Sequence, residues 1–233
     1  MSPGLFLCGT DTDVGKTAIA VAIVRDLVRQ GVAVGVCKPV ASGVGPDGGD
    51  PQRLWEAAGF PGRLAEVCPQ AFAAAVAPAR AAAAEGRAID DTLLVDAVTA
   101  WRARSEFVVV EGAGGLYSPL SSRLLNADLA RTLGLPLVVC DDARLGAIGR
   151  TLAVVTAARS EGHPLAAVVL SQVADPGAAG EEDPQSPTAI ALSGLEDLRE
   201  RLAPTPVLFL RHGAEQIEPA IDWQLAAGGA GLH

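Results

Sequence analysis

The chain is poor in aromatic residues, which make up 4% of it, and it holds a single methionine, so its interior has to be filled by aliphatic side chains and alanine. Positive charge is also scarce: 18 Lys and Arg stand against 27 Asp and Glu, a formal net charge of −9. That balance argues against general affinity for nucleic acid or an anionic membrane, because backbone-phosphate binding rests on clustered Lys and Arg. An anionic ligand must be handled locally. Cysteine is sparse and scattered. Cys8, Cys37, Cys68 and Cys140 show neither zinc-knuckle nor Cys-x-x-Cys spacing, and 233 residues need no disulfide framework, so reduced core thiols are expected. The histidines, His163, His212 and His233, are too dispersed for a ligand cluster. No apolar run approaches the ~20 uninterrupted residues of a membrane span. The N-terminus enters its first apolar run directly and does not resemble a cleavable signal, so a cytoplasmic setting is expected.

What is present begins with a turn. Residues 9–17 read Gly-Thr-Asp-Thr-Asp-Val-Gly-Lys-Thr, between an apolar run at 5–8 and a segment at 18–30 whose apolar residues recur at helical spacing. Strand, glycine-bearing turn and helix start form a phosphate-binding context. Backbone N–H groups and the positive helix end would hold phosphate oxygens, with Gly9, Asp13, Val14, Gly15, Lys16, Thr17 and Ala18 as candidate contacts. Lys16 adds charge, and Thr17 offers a hydroxyl to magnesium. The literal P-loop pattern leaves four residues between its glycines. Gly9 and Gly15 enclose five, so the motif is a variant and a plain helix-capping turn competes with it.

Further along, an apolar strand at 32–37 delivers Lys38, Ser42 and Gly43 to its carboxyl end, where open parallel sheets bind ligands. Lys38 could equally be a solvated lysine. The glycine-rich, acidic stretch 44–50 reads as a loop. Its Asp50 is either a helix N-cap or a magnesium carboxylate, with Asp47 as rival. Residues 59–87 suit short alanine-rich helices, and 89–104 a helix burying Leu94, Val98 and Trp101. The strand at 107–110 ends in Glu111, which has the logic of a magnesium-holding carboxylate or of a solvated strand-end acid, and a glycine turn follows through Gly112, Gly114 and Gly115.

A helix is expected at 126–133, a strand at 136–141, and an apolar helix at 147–161 whose first turn, with Gly146 and Gly149, would leave N–H groups open to an anion. An ordinary strand-to-helix connection competes there. A strand at 165–170 ends in Ser171 and Gln172. Residues 175–187 read as a mobile loop, 188–202 as a helix, 206–210 as a strand, 219–225 as a short helix and 226–233 as a frayed tail. The alternation predicts an α/β fold, a single doubly wound, mostly parallel sheet flanked by helices, as one domain over residues 1–233.

Taken together, the turn at 9–17, Lys38-Pro-Val-Ala-Ser-Gly43 and Glu111-Gly-Ala-Gly-Gly115 resemble the dethiobiotin synthetase family, in order and over most of the chain. The extra residue in the phosphate turn is that family's usual form. The resemblance implies a P-loop enzyme dependent on ATP and Mg2+ that converts 7,8-diaminopelargonate and CO2 into dethiobiotin through a carbamate and its mixed anhydride with phosphate. It implies Lys16 on the β- and γ-phosphates, and Thr17, Asp50 and Glu111 around magnesium. Asp13 stands where the family often has Glu. Lys38 would face the carbamate and the transferring phosphoryl group, with Lys16, Thr12 and Asp13 completing the catalytic set.

The resemblance further implies that Thr12, Ser42, Gly114 and Gly115 meet the substrate's reacting end. Arg144, in place of the usual Lys, opens a segment in which Leu145, Gly146, Ala147 and Gly149 would take the substrate carboxylate across a homodimer interface. Gly149 stands where Asn is common. Ser171 and Gln172 replace a frequent Asn-Asp pair at the adenine end, so relaxed base selectivity is expected. The competing class is a partition- or maturation-type P-loop ATPase acting as a nucleotide switch. Such proteins carry an additional lysine near the start of the turn, and no lysine precedes Lys16. Amidating ligases of the cobyrinate type carry a glutaminase domain for which this length leaves no room.

Overall fold

The computed structural model describes residues 2–177 and 183–228. In chain order they form β1 (Gly4–Gly9), α1 (Lys16–Arg29), β2 (Val34–Cys37), β3 (Val40–Ala41), α2 (Gly49–Ala57), α3 (Leu64–Val67), β4 (Gln70–Ala71), α4 (Pro78–Ala84) and α5 (Asp91–Arg102). Then follow β5 (Phe107–Gly115), α6 (Asn126–Leu133), β6 (Leu137–Asp142), α7 (Ala147–Ser160), β7 (Leu165–Ser171), α8 (Pro187–Leu202), β8 (Val207–Leu210) and α9 (Trp223–Ala227). The main sheet has the order β2-β5-β1-β6-β7-β8, and every pairing in it is parallel.

The strands are near-continuous apolar runs because helices cover both faces of a parallel sheet and leave no wet side to pattern. Leu5, Phe6, Leu7 and Cys8 of β1 and Phe107, Val108, Val109 and Val110 of β5 are fully buried. Helix α1 presents Ile19, Ile23, Val24 and Leu27 to them, spaced at helical intervals along one face. Each such side chain contributes about 1.5–3 kcal/mol relative to exposure. Few rings take part: Phe6, Phe72, Phe107 and Phe209 are the largest of the fully buried side chains. All four cysteines are free and buried. Burial pushes the Cys8 and Cys68 thiols up to about 12, so they are inert core residues at neutral pH. Among the described residues no helix is long and apolar enough to cross a membrane.

Several boundaries differ from expectation. Strand β2 begins at Val34, not at residue 32, because the Val32 N–H turns back to the Leu27 carbonyl and the Ala33 N–H goes to the Glu106 carboxylate. Helix α2 takes Gly48 as its N-cap, so Asp50 lies inside the first turn and is free to point elsewhere. The glycines after Glu111 do not form a turn. They continue β5 to Gly115, held by the Asn126 amide, which donates to the carbonyls of Ala113 and Gly115. A two-stranded ladder, β3 with β4, was not foreseen.

The last helix spans Trp223–Ala227 and not 219–225, because Glu218 is tied to Phe209 by a pair of backbone hydrogen bonds and Asp222 supplies the N-cap. That helix also takes in Ala226 and Ala227 of the expected frayed tail, whose last residues, 229–233, lie outside the described residues. So does the middle of the expected 175–187 loop, residues 178–182; its end, Pro187, already starts α8.

Candidate active site

The carboxyl ends of β1, β2 and β5 bring three segments together. At the end of β1 the chain turns through residues 10–15 and enters α1 with Gly15 at φ 84 and no side-chain cap. The first N–H groups of α1 therefore face outward without a side-chain partner, as anion-binding helix starts do. Only glycine suits position 15, since a Cβ there would sit 2.6 Å from Ser171 Oγ in a left-handed backbone. Lys16 arches back over the turn, its Nζ 3.3 Å from the Asp11 carbonyl.

Strand β2 delivers Lys38, and the Lys38 N–H donates to the Val67 carbonyl at 2.8 Å, which fixes where its side chain starts. The ammonium donates to Glu111 Oε1 at 2.6 Å and to Asp50 Oδ2 at 2.5 Å. Thr17 Oγ1 donates to the same Glu111 oxygen at 2.8 Å. Burial alone would pull the Lys38 pKa down, but the charges of Glu111 and Asp50 outweigh it and hold the ammonium above the ordinary lysine value. Asp50 shows the converse balance: burial would raise it, yet Lys38 and the Thr17 hydroxyl hold it below the usual carboxylate value.

These groups line one cavity of about 620 Å3. Of the residues singled out by sequence, Thr12, Asp13, Gly15, Lys16, Thr17, Ala18, Lys38, Ser42, Asp50, Glu111, Gly114, Ser171 and Gln172 line it. Asp50, and not Asp47, joins Lys38 there. Gly9, Val14, Gly112 and Gly115 are packing positions behind the wall. A Cβ on Gly9 would lie 2.4 Å from the Asp11 carbonyl oxygen, and one on Gly112 2.5 Å from Asn126 Oδ1. Gly115 lies against the Gly9 carbonyl, and Val14 is core.

Leu145, Gly146, Ala147 and Gly149 do not line this cavity. They form the start of α7, with Gly146 as an uncapped N-cap and Leu145 80% exposed. Arg144 there pairs with Asp142 at 2.9 Å.

Sequence reading missed the far rim, made by Arg25, Arg53, His212 and Glu215, where Arg25 Nη1 meets Glu215 Oε1 at 2.8 Å. One signal was available. Arg53 follows Asp50 by three residues, which places both on one helix face.

The donor set suits magnesium. Among the described residues no three His, Cys, Asp or Glu side chains form an all-protein cage. Magnesium, however, usually takes only one or two carboxylates and leaves the rest to water and phosphate. Glu111 Oε2 is buried with no hydrogen-bond partner among the described residues, an orphaned anionic atom beside the Thr17 hydroxyl and the Asp50 carboxylate. A hard cation there would satisfy it.

Comparison with known proteins agrees with this architecture. Residues 3–207 match the AAA domain family. The chain is 45% identical over 205 residues, 87% of this chain and 89% of the other, to ATP-dependent dethiobiotin synthetase BioD of Anaeromyxobacter dehalogenans (strain 2CP-C). It is 39% identical, over 73% of each chain, to ATP-dependent dethiobiotin synthetase BioD of Rhodopirellula baltica. Among solved structures it is similar to the signal recognition particle receptor FtsY from Elizabethkingia anophelis, with a TM-score of 0.53 at 15% identity over 98% of this chain and 65% of that one. The chain thus spans about two thirds of that structure's length, and the likeness concerns fold alone.

Proposed function

Because the chain belongs to the dethiobiotin synthetase family, we propose that it is an ATP-dependent ligase that joins CO2 to 7,8-diaminopelargonate and closes the cyclic urea of dethiobiotin, releasing ADP and phosphate. The observation that carries this reading is the Lys38 ammonium, held between Glu111 and Asp50 in the same cavity as Lys16 and Thr17. A cation fixed beside a phosphate-binding turn suits a reaction that runs through an anionic carbamate and a phosphoryl group in transit.

The lone pair of one neutral amine attacks CO2, and that nitrogen gives up a proton to solvent, leaving a carbamate. The carbamate oxygen attacks the γ-phosphorus of ATP, ADP leaves, and a carbamic-phosphoric anhydride results. The second amine then attacks the carbonyl carbon, phosphate departs with the C–O bonding pair, and the amine proton is lost to solvent. The protein supplies position and charge. Lys16 and the uncapped start of α1 hold the triphosphate. Lys38 stays protonated and faces the carbamate and the phosphoryl group in transit. The hydroxyls of Thr12 and Ser42, both on the cavity wall, orient the amines. Magnesium, held by Thr17, Asp50 and Glu111, would neutralise phosphate charge.

The reading includes a homodimer. Its support is the start of α7, which lies outside the chain's own cavity and carries the exposed Leu145. It also includes a cytoplasmic setting, where ATP is found and thiols stay reduced. Incubation with diaminopelargonate, bicarbonate and Mg-ATP should yield dethiobiotin by mass together with ADP. ATP hydrolysis independent of the diamine, with no new product, would refute it. Sedimentation should show a dimer, and a fully active monomer would refute the shared site.

A further inference from the structure

Asp141, the next-to-last residue of β6, is a fully buried carboxylate that the reaction above does not use. Four donors converge on it. Thr10 Oγ1 reaches its Oδ1 at 2.5 Å, the Asp142 N–H the same oxygen at 2.8 Å and Arg150 Nε at 3.1 Å, while Thr151 Oγ1 meets Oδ2 at 3.1 Å. Thr10 is the first residue of the phosphate-binding turn, and its N–H also donates to the Cys140 carbonyl at 2.9 Å. Arg150, from the first turn of α7, grips the other side. Its Nη2 donates to the Asp142 carbonyl at 3.1 Å and its Nη1 to the Leu145 carbonyl at 3.4 Å. The same Nη1 lies over Gly146, where a Cβ would come within 3.1 Å of it.

One buried anion therefore holds both the turn entering α1 and the turn entering α7. Because it is buried, losing a neutral donor would leave a carboxylate lone pair unsatisfied and losing Arg150 would leave the charge unpaired, so the two turns cannot shift independently without a penalty.

We propose that Asp141 and Arg150 are a positioning pair that ties the phosphate-binding turn to the start of α7, so that nucleotide in one protomer's cavity and the carboxylate end of the diamine in its neighbour's cavity bind cooperatively. This rests on the reading above that the start of α7 receives the substrate carboxylate. Neither residue touches the reacting atoms. Their role is to give the two turns a shared geometry, which ordering of either turn by its ligand would favour. Linkage makes the effect reciprocal: each ligand tightens the other by the same factor.

Calorimetry on the intact protein with magnesium, a non-hydrolysable ATP analogue and diaminopelargonate, in CO2-free buffer, measures that factor. The unaltered protein should bind the diamine about tenfold tighter once the analogue is bound, within the usual range of such couplings. Arg150→Met should bring the factor close to one while leaving each ligand's separate affinity within about threefold, since neither ligand loses a direct contact. Should Arg150→Met fail to fold, Thr10→Val removes the hydroxyl at nearly constant volume and should also lower the factor. A factor near one in the unaltered protein, or one unchanged in both variants, would overturn the proposal. So would affinities that fall in step with thermal stability, the mark of a merely structural pair. If the diamine does not bind the unaltered protein, the functional reading fails and takes this proposal with it; if it binds and the variants keep the linkage, the proposal alone fails.

Discussion

Lys38 Nζ lies 2.6 Å from Glu111 Oε1, an ion pair in which the carboxylate is fully buried and the lysine nearly so. A pair this deep is weak evidence for stability, because desolvation offsets much of the attraction. Its value lies elsewhere. Glu111 keeps one orphaned oxygen, and Lys38 keeps its charge beside the phosphate turn, so the pair is arranged for ligands that are themselves charged.

Replacing Lys38 by Ala tests this arrangement. Turnover should fall by about 10²–10³-fold, the usual effect of removing a group that stabilises developing charge. Affinity for Mg-ATP should change far less, since Lys16 and the start of α1 remain. The free protein should lose roughly 3–5 kcal/mol of stability, because Glu111 is left buried without its cation. Saturating Mg-ATP should raise the stability of both proteins by similar amounts and leave that gap in place, because it binds only the folded state and binds both with similar affinity. Steady-state kinetics and thermal unfolding with and without Mg-ATP measure both effects, and an unchanged turnover would remove Lys38 from the catalytic set.

The same cluster sets a pH response. Lys38 is held above the ordinary lysine value of 10.5, so its contribution is complete below that value and is lost only as pH rises through the higher folded value. Asp50 is held below the ordinary 3.8, so its contribution is complete above that value and is lost as pH falls through the lower folded one. Unfolding midpoints of the native protein and Asp50→Asn should therefore differ by a constant amount from about pH 5 to about pH 10. The difference should shrink on the acid side below about pH 4 and on the alkaline side above the lysine range. A difference that changes steadily through neutrality would mean that another group sets the response.

The order of strands and helices was legible because a parallel sheet buries both faces, which turns each strand into an apolar run. Glycine was misleading. Residues 112–115 read locally as a turn, yet pairing of Gly9 with Gly115 and the Asn126 amide keep them in β5, and both partners are distant in sequence. The acids show a similar boundary. Glu111 was identifiable as the acid that closes an apolar run, although β5 continues past it, whereas choosing Asp50 over Asp47 needed the Gly48 cap, which turns Asp50 toward Lys38. Arg25 and Glu215 gave no local sign, because their pairing exists only once the segment after β8 folds back over α1.

Gly15→Ala should damage the phosphate turn for two separable reasons. A left-handed backbone at φ 84 costs an L-residue about 1–2 kcal/mol. The new methyl would also meet Ser171 Oγ at 2.6 Å. Nucleotide affinity should drop by at least about tenfold, since the N–H groups that face the phosphates move with Gly15. Adding Ser171→Gly should recover the steric part of the loss in melting temperature and leave the backbone part. Nucleotide titration and calorimetry of the single and double variants separate the two, and wild-type affinity in Gly15→Ala would contradict the phosphate role of the turn.

Base selectivity follows from how the far end of the cavity spends its polar groups. Gln172 Nε2 donates to Thr188 Oγ1 at 3.3 Å, its Oε1 accepts from the His212 N–H at 3.4 Å, and the Gln172 N–H goes to the Leu210 carbonyl. Both ends of that amide are engaged within the protein. Ser171 packs on the Cα side of Gly15, and His212 Nδ1 meets the Val173 carbonyl at 3.0 Å. A site rejects a wrong base strongly only when groups built to pair with the right one would otherwise be left unpaired. Here Thr188 and His212 fix how the Gln172 amide is turned, so its second N–H and second lone pair are aimed by the protein and not by an adenine edge. ATP, GTP and CTP should therefore bind within about tenfold of one another and all support turnover, because the triphosphate contacts they share dominate affinity. Competition binding and product formation with each nucleotide measure this. An ATP preference of a hundredfold or more would show that Gln172 leaves Thr188 and His212 when nucleotide binds.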